Sequence, residues 1–405
     1  MFLKRSHFFI ITALLAILSI GLCVSILFIN LNFFKNSSGP KSASQAATGA
    51  QPELANTWES YKKRFIEADG RTLDPGRGNI TTSEGQAYTL LRAVWQNDRG
   101  TFDQALAWTD RNLKVRGDNL FASLWGRNQV GEWVVLDRDT NSGADQDIAF
   151  ALLMAAQRWP EGAESYRAPA LALLSDLWNK EVITIGDKPY LTAGNWAVPQ
   201  SRLTFNPGYF APYAYRLFAR FDPNPAHRWK ALLDSSFAML YGCTGLNEPS
   251  RLPPDWCGYD AGKNRFAAPL NNLSASYGYQ GFKVYWRLAL DQQWYGPEDS
   301  RSLDFLRWSS AGQNPLVTNL ADPAAEYDRS GKAVAPYDSA TLAGALGLLL
   351  NTNPEAATAL YQKLLKTYHN LDNGAYYFWD EPDNYYQQNW LWLGIALYNK
   401  ALQTG

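Results

Sequence analysis

Histidine, cysteine and methionine are scarce in this chain, three of each among 405 residues. His7, His227 and His369 lie far apart and no Cys/His spacing resembles a zinc site, so no metal centre is implied. No Gly-rich phosphate loop occurs, and no cofactor is implied. A formal net charge of −1 leaves no basic footprint for nucleic acid and no strong field for collecting a polyanion. Charge is missing altogether from Ser6 to Phe34, and Phe8 to Ile29 is dominated by Phe, Ile, Leu, Ala and Val. At about 1.5 Å per residue such a run spans a hydrocarbon core of roughly 30 Å. Lys4 and Arg5 precede it, which leaves the amino terminus in the cytoplasm and the bulk outside. A cleaved signal peptide would have an apolar region of only about 7 to 15 residues and a small-residue cleavage site, and no Ala-x-Ala follows Ile29 directly. We therefore expect residues 1–35 to hold a single N-terminal transmembrane helix, with the rest extracytoplasmic, periplasmic or extracellular. Cys23 falls in that segment; Cys243 and Cys257 would face an oxidising compartment, as a disulfide or as two free thiols.

Past Phe34 the sequence turns polar and small, Asn36-Ser37-Ser38-Gly39-Pro40 onward, and cannot build a core. Residues 36–55 read as a flexible linker and 56–405 as one domain, since no second linker interrupts them. Apolar stripes at helical spacing predict twelve helices: Trp58 to Glu67, Gly85 to Trp95, Thr101 to Leu113, Asp145 to Trp159, Arg167 to Val182, Ala211 to Phe221, His227 to Leu240, Ser276 to Gln292, Ser300 to Gln313, Ser339 to Leu349, Pro354 to Leu371 and Tyr386 to Leu402. Val130 to Val135 and Val182 to Leu191 read as β-rich patches. Periodicity alone gives an all-α domain with long loops.

Two acids stand at predicted helix starts. Glu84 precedes the stripe Ala87, Leu90, Leu91, Val94 and Trp95, and Asp145 precedes Ile148, Ala149, Leu152, Ala155, Ala156 and Trp159. Helix chemistry explains both: Thr81 with Glu84, or Ser83 with Gln86, fits a capping box, and an acid in the first turn meets the positive end of the helix dipole. A carboxylate pair also suits hydrolysis of a glycosidic bond. On spacing alone both readings stay open.

The run from Gly143 through Ala144-Asp145-Gln146-Asp147-Ile148-Ala149 to Trp159 resembles the signature of glycoside hydrolase family 8, a family of cellulases, chitosanases and xylanases. Thr82-Ser83-Glu84-Gly85-Gln86 resembles its other hallmark, where the Glu is the general acid. Leu120 to Trp125, Asn206 to Pro212 and Tyr385 to Asn389 also resemble family segments, in family order. The resemblance implies an (α/α)6 barrel, which twelve helices fit as six hairpins. It implies Glu84 and Asp145 as catalytic residues, Glu84 protonating the glycosidic oxygen and Asp145 holding the adjacent sugar towards its distorted geometry.

Two positions depart from the family pattern. The first Asp of the signature is Gly143 here, and the Tyr-Asp-Ala-x-Arg segment that carries the general base reads Tyr279-Gln280-Gly281-Phe282-Lys283. An amide positions water but cannot take its proton. Asp255, Asp260, Asp291 and Glu326 are candidates to replace the base; alternatively the cleft binds a glycan without cutting it. Aromatics form 14% of the chain, more than a core needs, and sugar rings present C–H faces to such side chains. Trp125, Trp196, Tyr209, Trp256, Tyr279, Tyr385 and Tyr386 are the candidate platforms, and Gln280 would orient water beside them. The expectation is a membrane-anchored endo-β-1,4-glucanase that inverts, acting on a cellulose-like glucan or related exopolysaccharide. The resemblance also implies polysaccharide synthesis or export machinery as a partner. The alternative is a catalytically impaired glycan-binding protein of such an assembly.

Overall fold

The computed structural model describes residues 51–198, 202–270, 272–320 and 323–404. The expected transmembrane segment and most of the expected linker lie outside the described residues, among which no helix is long and apolar enough to cross a membrane.

Twelve helices of ten or more residues occur among the described residues: α1 (Pro52–Phe65), α2 (Ser83–Trp95), α3 (Arg99–Leu113), α4 (Ser142–Arg158), α5 (Glu164–Glu181), α6 (Pro212–Phe221), α7 (Trp229–Thr244), α8 (Gly281–Tyr295), α9 (Arg301–Ser310), α10 (Ser339–Thr352), α11 (Pro354–Leu365) and α12 (Tyr385–Tyr398). The even-numbered helices form an inner ring, α2 against α4, then α6, α8, α10 and α12 in turn. Trp390 Nε1 donating to Tyr88 OH and Arg92 donating to Asn389 Oδ1 close it between α12 and α2. Each inner helix carries one outer partner: α3, α5, α7, α9 and α11 follow theirs in the chain, and α1 covers α12. This is the (α/α)6 barrel.

The two rings differ in composition for a physical reason. On α3 only Phe102, Ala105, Trp108, Thr109 and Leu113 are buried, a single stripe facing inward. On α4 every residue from Ser142 to Ala156 is buried, because ring neighbours and an outer helix surround it. Polar groups there must therefore be satisfied from within.

Short antiparallel strands fill the connections. β1 (Thr81–Thr82) pairs β2 (Leu124–Arg127), which pairs β3 (Trp133–Asp137); β4 (Val182–Ile185) pairs β5 (Lys188–Leu191). β6 (Arg202–Phe205), β7 (Cys257–Asp260) and β8 (Arg265–Ala267) form a third sheet, and β9 (Tyr368–Leu371) pairs β10 (Tyr376–Trp379). The patch expected at Val182 to Leu191 is the β4–β5 hairpin. That expected at Val130 to Val135 is shifted: Val130 sits 79% exposed between β2 and β3. The helix expected from Pro354 to Leu371 stops at Leu365, and its last four residues are β9. The segment 276–280, expected as helix, is a connection that delivers Gln280 to the start of α8. α1 begins at Pro52, inside the expected linker. Cys243 at the end of α7 is disulfide-bonded to Cys257 of β7.

Candidate active site

Because outer helices return the chain, all six inner helices run the same way and their N-termini meet at one end of the barrel. Glu84 begins α2, Gln280 precedes α8, Asp338 caps α10 and Tyr385 and Tyr386 begin α12. The caps are short polar side chains: Thr82 accepts from Gly85 N, Asn141 from Ala144 N and Asn384 from Gln387 N. Neither expected capping box forms. Thr81 donates to Thr72 O, and Gln86 is buried, accepting from Thr72 N and donating to Thr109 Oγ1. Glu84 is thereby free of capping duty.

A cleft of about 1220 Å³ opens at this end, bordered by Glu84, Tyr279, Gln280, Tyr385 and Tyr386. Tyr386 OH donates to Tyr279 O at 2.6 Å, and Tyr279 OH donates to Asp338 Oδ2 at 2.8 Å, so the aromatic wall is fixed by its own polar tips. Glu84, 20% exposed, receives a hydrogen bond from Lys283 Nζ at 2.6 Å. Lys283 also donates to Gln280 Oε1 at 2.8 Å and lies between the rings of Tyr88, Tyr386 and Trp390, 5.6 to 6.0 Å from their centroids. Burial pushes its ammonium down from the ordinary lysine range, against the pull of Glu84. The nearest charge to the expected acid is thus a cation. Lys283 carried no role in the sequence reading, although a lone Lys within the buried stretch Gly281–Asp291 is the signal of an interior charge.

Asp145 is not on the cleft wall. It is fully buried, and Oδ1 accepts the Phe121 amide at 3.0 Å. Its carboxyl lies close enough to that of Glu181, the last residue of α5, for the two charges to repel. Glu181 Oε1 accepts from Thr140, while Asp145 Oδ2 and Glu181 Oε2 find no N–H or O–H donor. A proton held by the pair would supply the donor that both oxygens lack. Burial first, then Glu181, pushes Asp145 well above the carboxylate range, and burial pushes Glu181 up to about 8; Arg116 and Asp118 are the other charges nearby. The folded pair keeps a proton that unfolded carboxyls shed near about pH 4, so stability falls as pH rises from there to about 8. Glu181→Gln, whose amide donates without ionising, is expected to flatten that slope. Melting temperatures at pH 5 and pH 8 check this; parallel curves for the two proteins would refute the shared proton.

Gly143, where the family pattern has an Asp, lies under Tyr209: a Cβ there would fall 2.5 Å from the ring. Tyr209 also faces Trp256, which faces Trp196, at centroid distances of 6.2 and 6.1 Å. Trp125 packs edge-on against Trp108 of α3 and partly joins the core. Arg287 of α8 ties the segment before Tyr209 to the ring. It forms two hydrogen bonds to Asp147, at 2.8 and 2.7 Å, and donates to Gly208 O and Tyr213 OH.

Of the four acids considered as a base, Asp260 is held by Arg202 and Lys263, and buried Asp291 by Arg216 and Ser302. Asp255 Oδ1 accepts the backbone N–H groups of both Gln280 and Gly281, at 3.0 and 2.7 Å. Burial pushes it up to about 6, with Glu326 adding to the rise.

A helical barrel whose inner N-termini carry a carboxylate and a tyrosine wall around an open cleft has the build of a carbohydrate-active protein. The model of glycosyl hydrolases family 8 matches residues 40–380, and the chain belongs to that family. It is 33% identical to an endoglucanase of Escherichia coli (strain K12) over 233 residues, 56% of this chain and 60% of the relative. To one of Xanthomonas axonopodis pv. citri (strain 306) it is 35% identical over 240 residues, 58% and 60%. The matches span 60% of those relatives' length. Among solved structures, endo-1,4-D-glucanase from Vibrio fischeri ES114 superposes with a TM-score of 0.68 at 26% identity, covering 85% of this chain and 94% of that one. A β-1,3-1,4-glucanase from Paenibacillus sp. X4 shares the fold, with a TM-score of 0.72 at 16% identity over 87% and 93%.

Proposed function

We propose that this protein hydrolyses internal β-1,4 bonds of a glucan or related exopolysaccharide, by inversion, with Glu84 as general acid. The observation that carries this is Glu84 itself: its helix is capped by Thr82, so the carboxylate is left facing a cleft large enough for several sugar residues, between tyrosines fixed in place. Gln280 cannot accept a proton. Asp255, which accepts the backbone N–H of Gln280 and whose carboxyl burial pushes up to about 6, is the acid we assign as the missing base. Asp145 then serves as support, the buried partner of Glu181. Asp255→Asn is expected to lower kcat by about 10²–10⁴-fold, with loss of the acidic limb of the pH–rate profile near about 6. Reducing-end release from cellulose derivatives, mixed-linkage glucan, xylan and chitosan tests the activity; an unchanged rate in Asp255→Asn would remove it as base.

Attachment to a membrane outside the cytoplasm belongs to the same proposal, supported by the uncharged run before Phe34 and by the disulfide, which persists in oxidising compartments. Work beside polysaccharide synthesis or export machinery would follow from that location. A second reading, glycan binding without cleavage, is favoured by Gly143 and Gln280 standing where the family has acids and by the Lys283 cation against Glu84. Binding of oligosaccharides with no release of reducing ends from any of the four substrates would decide for it.

A further inference from the structure

The cleft does not end at the tyrosine wall. It continues past Tyr385 to the β9–β10 hairpin, where Leu371, Tyr376 and Phe378 also line it. At about 1220 Å³ it exceeds the roughly 300–1,000 Å³ of a small-molecule pocket. None of these three residues was singled out by the sequence.

Alternation along the hairpin separates its two faces. Tyr377 and Trp379 turn towards Tyr368, with ring centroids 5.6 and 5.0 Å away, and Tyr377 N donates to Ser60 Oγ of α1. That face anchors the hairpin. Tyr376 and Phe378 point the other way with rings 12° from parallel, and Leu371, directly across from Tyr376 in the register, is 39% exposed. Lys63 of α1 lies 5.3 Å from the Tyr376 centroid and steadies the ring. The result is a rigid apolar step continuous with the wall that holds Glu84, with Leu371 and part of Tyr376 open to the cleft and Phe378, 3% exposed, joined to the core. Water against such a face is unfavourable unless a partner with apolar surface replaces it, and a pyranose ring offers C–H groups on its flat face with hydroxyls at its rim.

We propose that the β9–β10 hairpin is a distal binding subsite for the glycan chain, where a sugar residue remote from the scissile bond stacks on Tyr376 beside Leu371. This rests on the glucan reading above. It makes affinity depend on chain length: a short oligosaccharide seated at Glu84 does not reach the hairpin, and a longer one does.

The test is calorimetric titration of the full-length Glu84→Gln protein, which leaves the sugar uncut, with a β-1,4-glucan trisaccharide and hexasaccharide. Adding Tyr376→Ala is expected to weaken hexasaccharide binding about tenfold, the usual cost of truncating an aromatic anchor, and to leave the trisaccharide unchanged. Tyr376→Phe should keep the affinity, and Leu371→Asp, at an exposed position that folding tolerates, should reproduce the loss. Equal weakening of both lengths, or no weakening by either Tyr376→Ala or Leu371→Asp, would overturn the subsite while leaving the glucan reading intact. Failure of the Glu84→Gln protein to bind either sugar would overturn the reading itself, and the subsite with it.

Discussion

Glu84→Gln is expected to reduce reducing-end release by about 10²–10⁴-fold, the usual contribution of a positioned general acid, while leaving the fold and oligosaccharide binding in place. The amide keeps an oxygen for Lys283 Nζ, which now sits 2.6 Å from Glu84 Oε1, so the buried ammonium is not stripped of its partner. Glu84→Ala is a different experiment. It leaves Lys283, 1% exposed, with Gln280 Oε1 and three aromatic rings, and an uncompensated buried charge costs about 3–5 kcal/mol. Comparing the two separates chemistry from stability. If Glu84 had no part in the chemistry, Glu84→Gln would leave turnover alone; full activity in that variant would exclude it as the acid.

The second large effect concerns the buried ion pair between α4 and α8. Asp147→Ala is expected to destabilise the barrel by about 3–5 kcal/mol, because Arg287 loses the carboxylate that takes two of its hydrogen bonds and stays buried between α4 and α8. The damage should reach the site. Arg287 also holds Gly208 O, next to Tyr209, whose ring fills the space above Gly143. Adding Arg287→Met should recover part of the loss, since an apolar side chain of similar length needs no partner. Denaturant midpoints for the single and double variants measure both terms. A loss below about 1 kcal/mol in Asp147→Ala would mean that the guanidinium finds other acceptors or water.

Much of the helical framework was readable, and its errors have physical causes. Outer helices such as α3 show one buried stripe, and even the fully buried inner ones keep their apolar runs. The β9–β10 hairpin was lost to an overlong helix, although Asp372-Asn373-Gly374 between Leu371 and Tyr376 is turn chemistry, with Asp372 and Asn373 in the left-handed region. The distal step of the cleft was missed with it. Asp145 is a different case. Its position just after a helix start fits cap or catalyst equally, and its burial beside Glu181, 36 residues onward, is not written in local spacing.

By itself the sequence determined the helices, their number, the family and the carboxylate at position 84, because each is written in local spacing or in short contiguous motifs. Only the tertiary structure decided what stands beside that carboxylate. Lys283 is 199 residues from Glu84, and Leu371 and Tyr376 reach the same cleft from the far end of the chain. Closing a ring of helices brings all the inner N-termini to one end, and no local pattern records which distant side chains meet there.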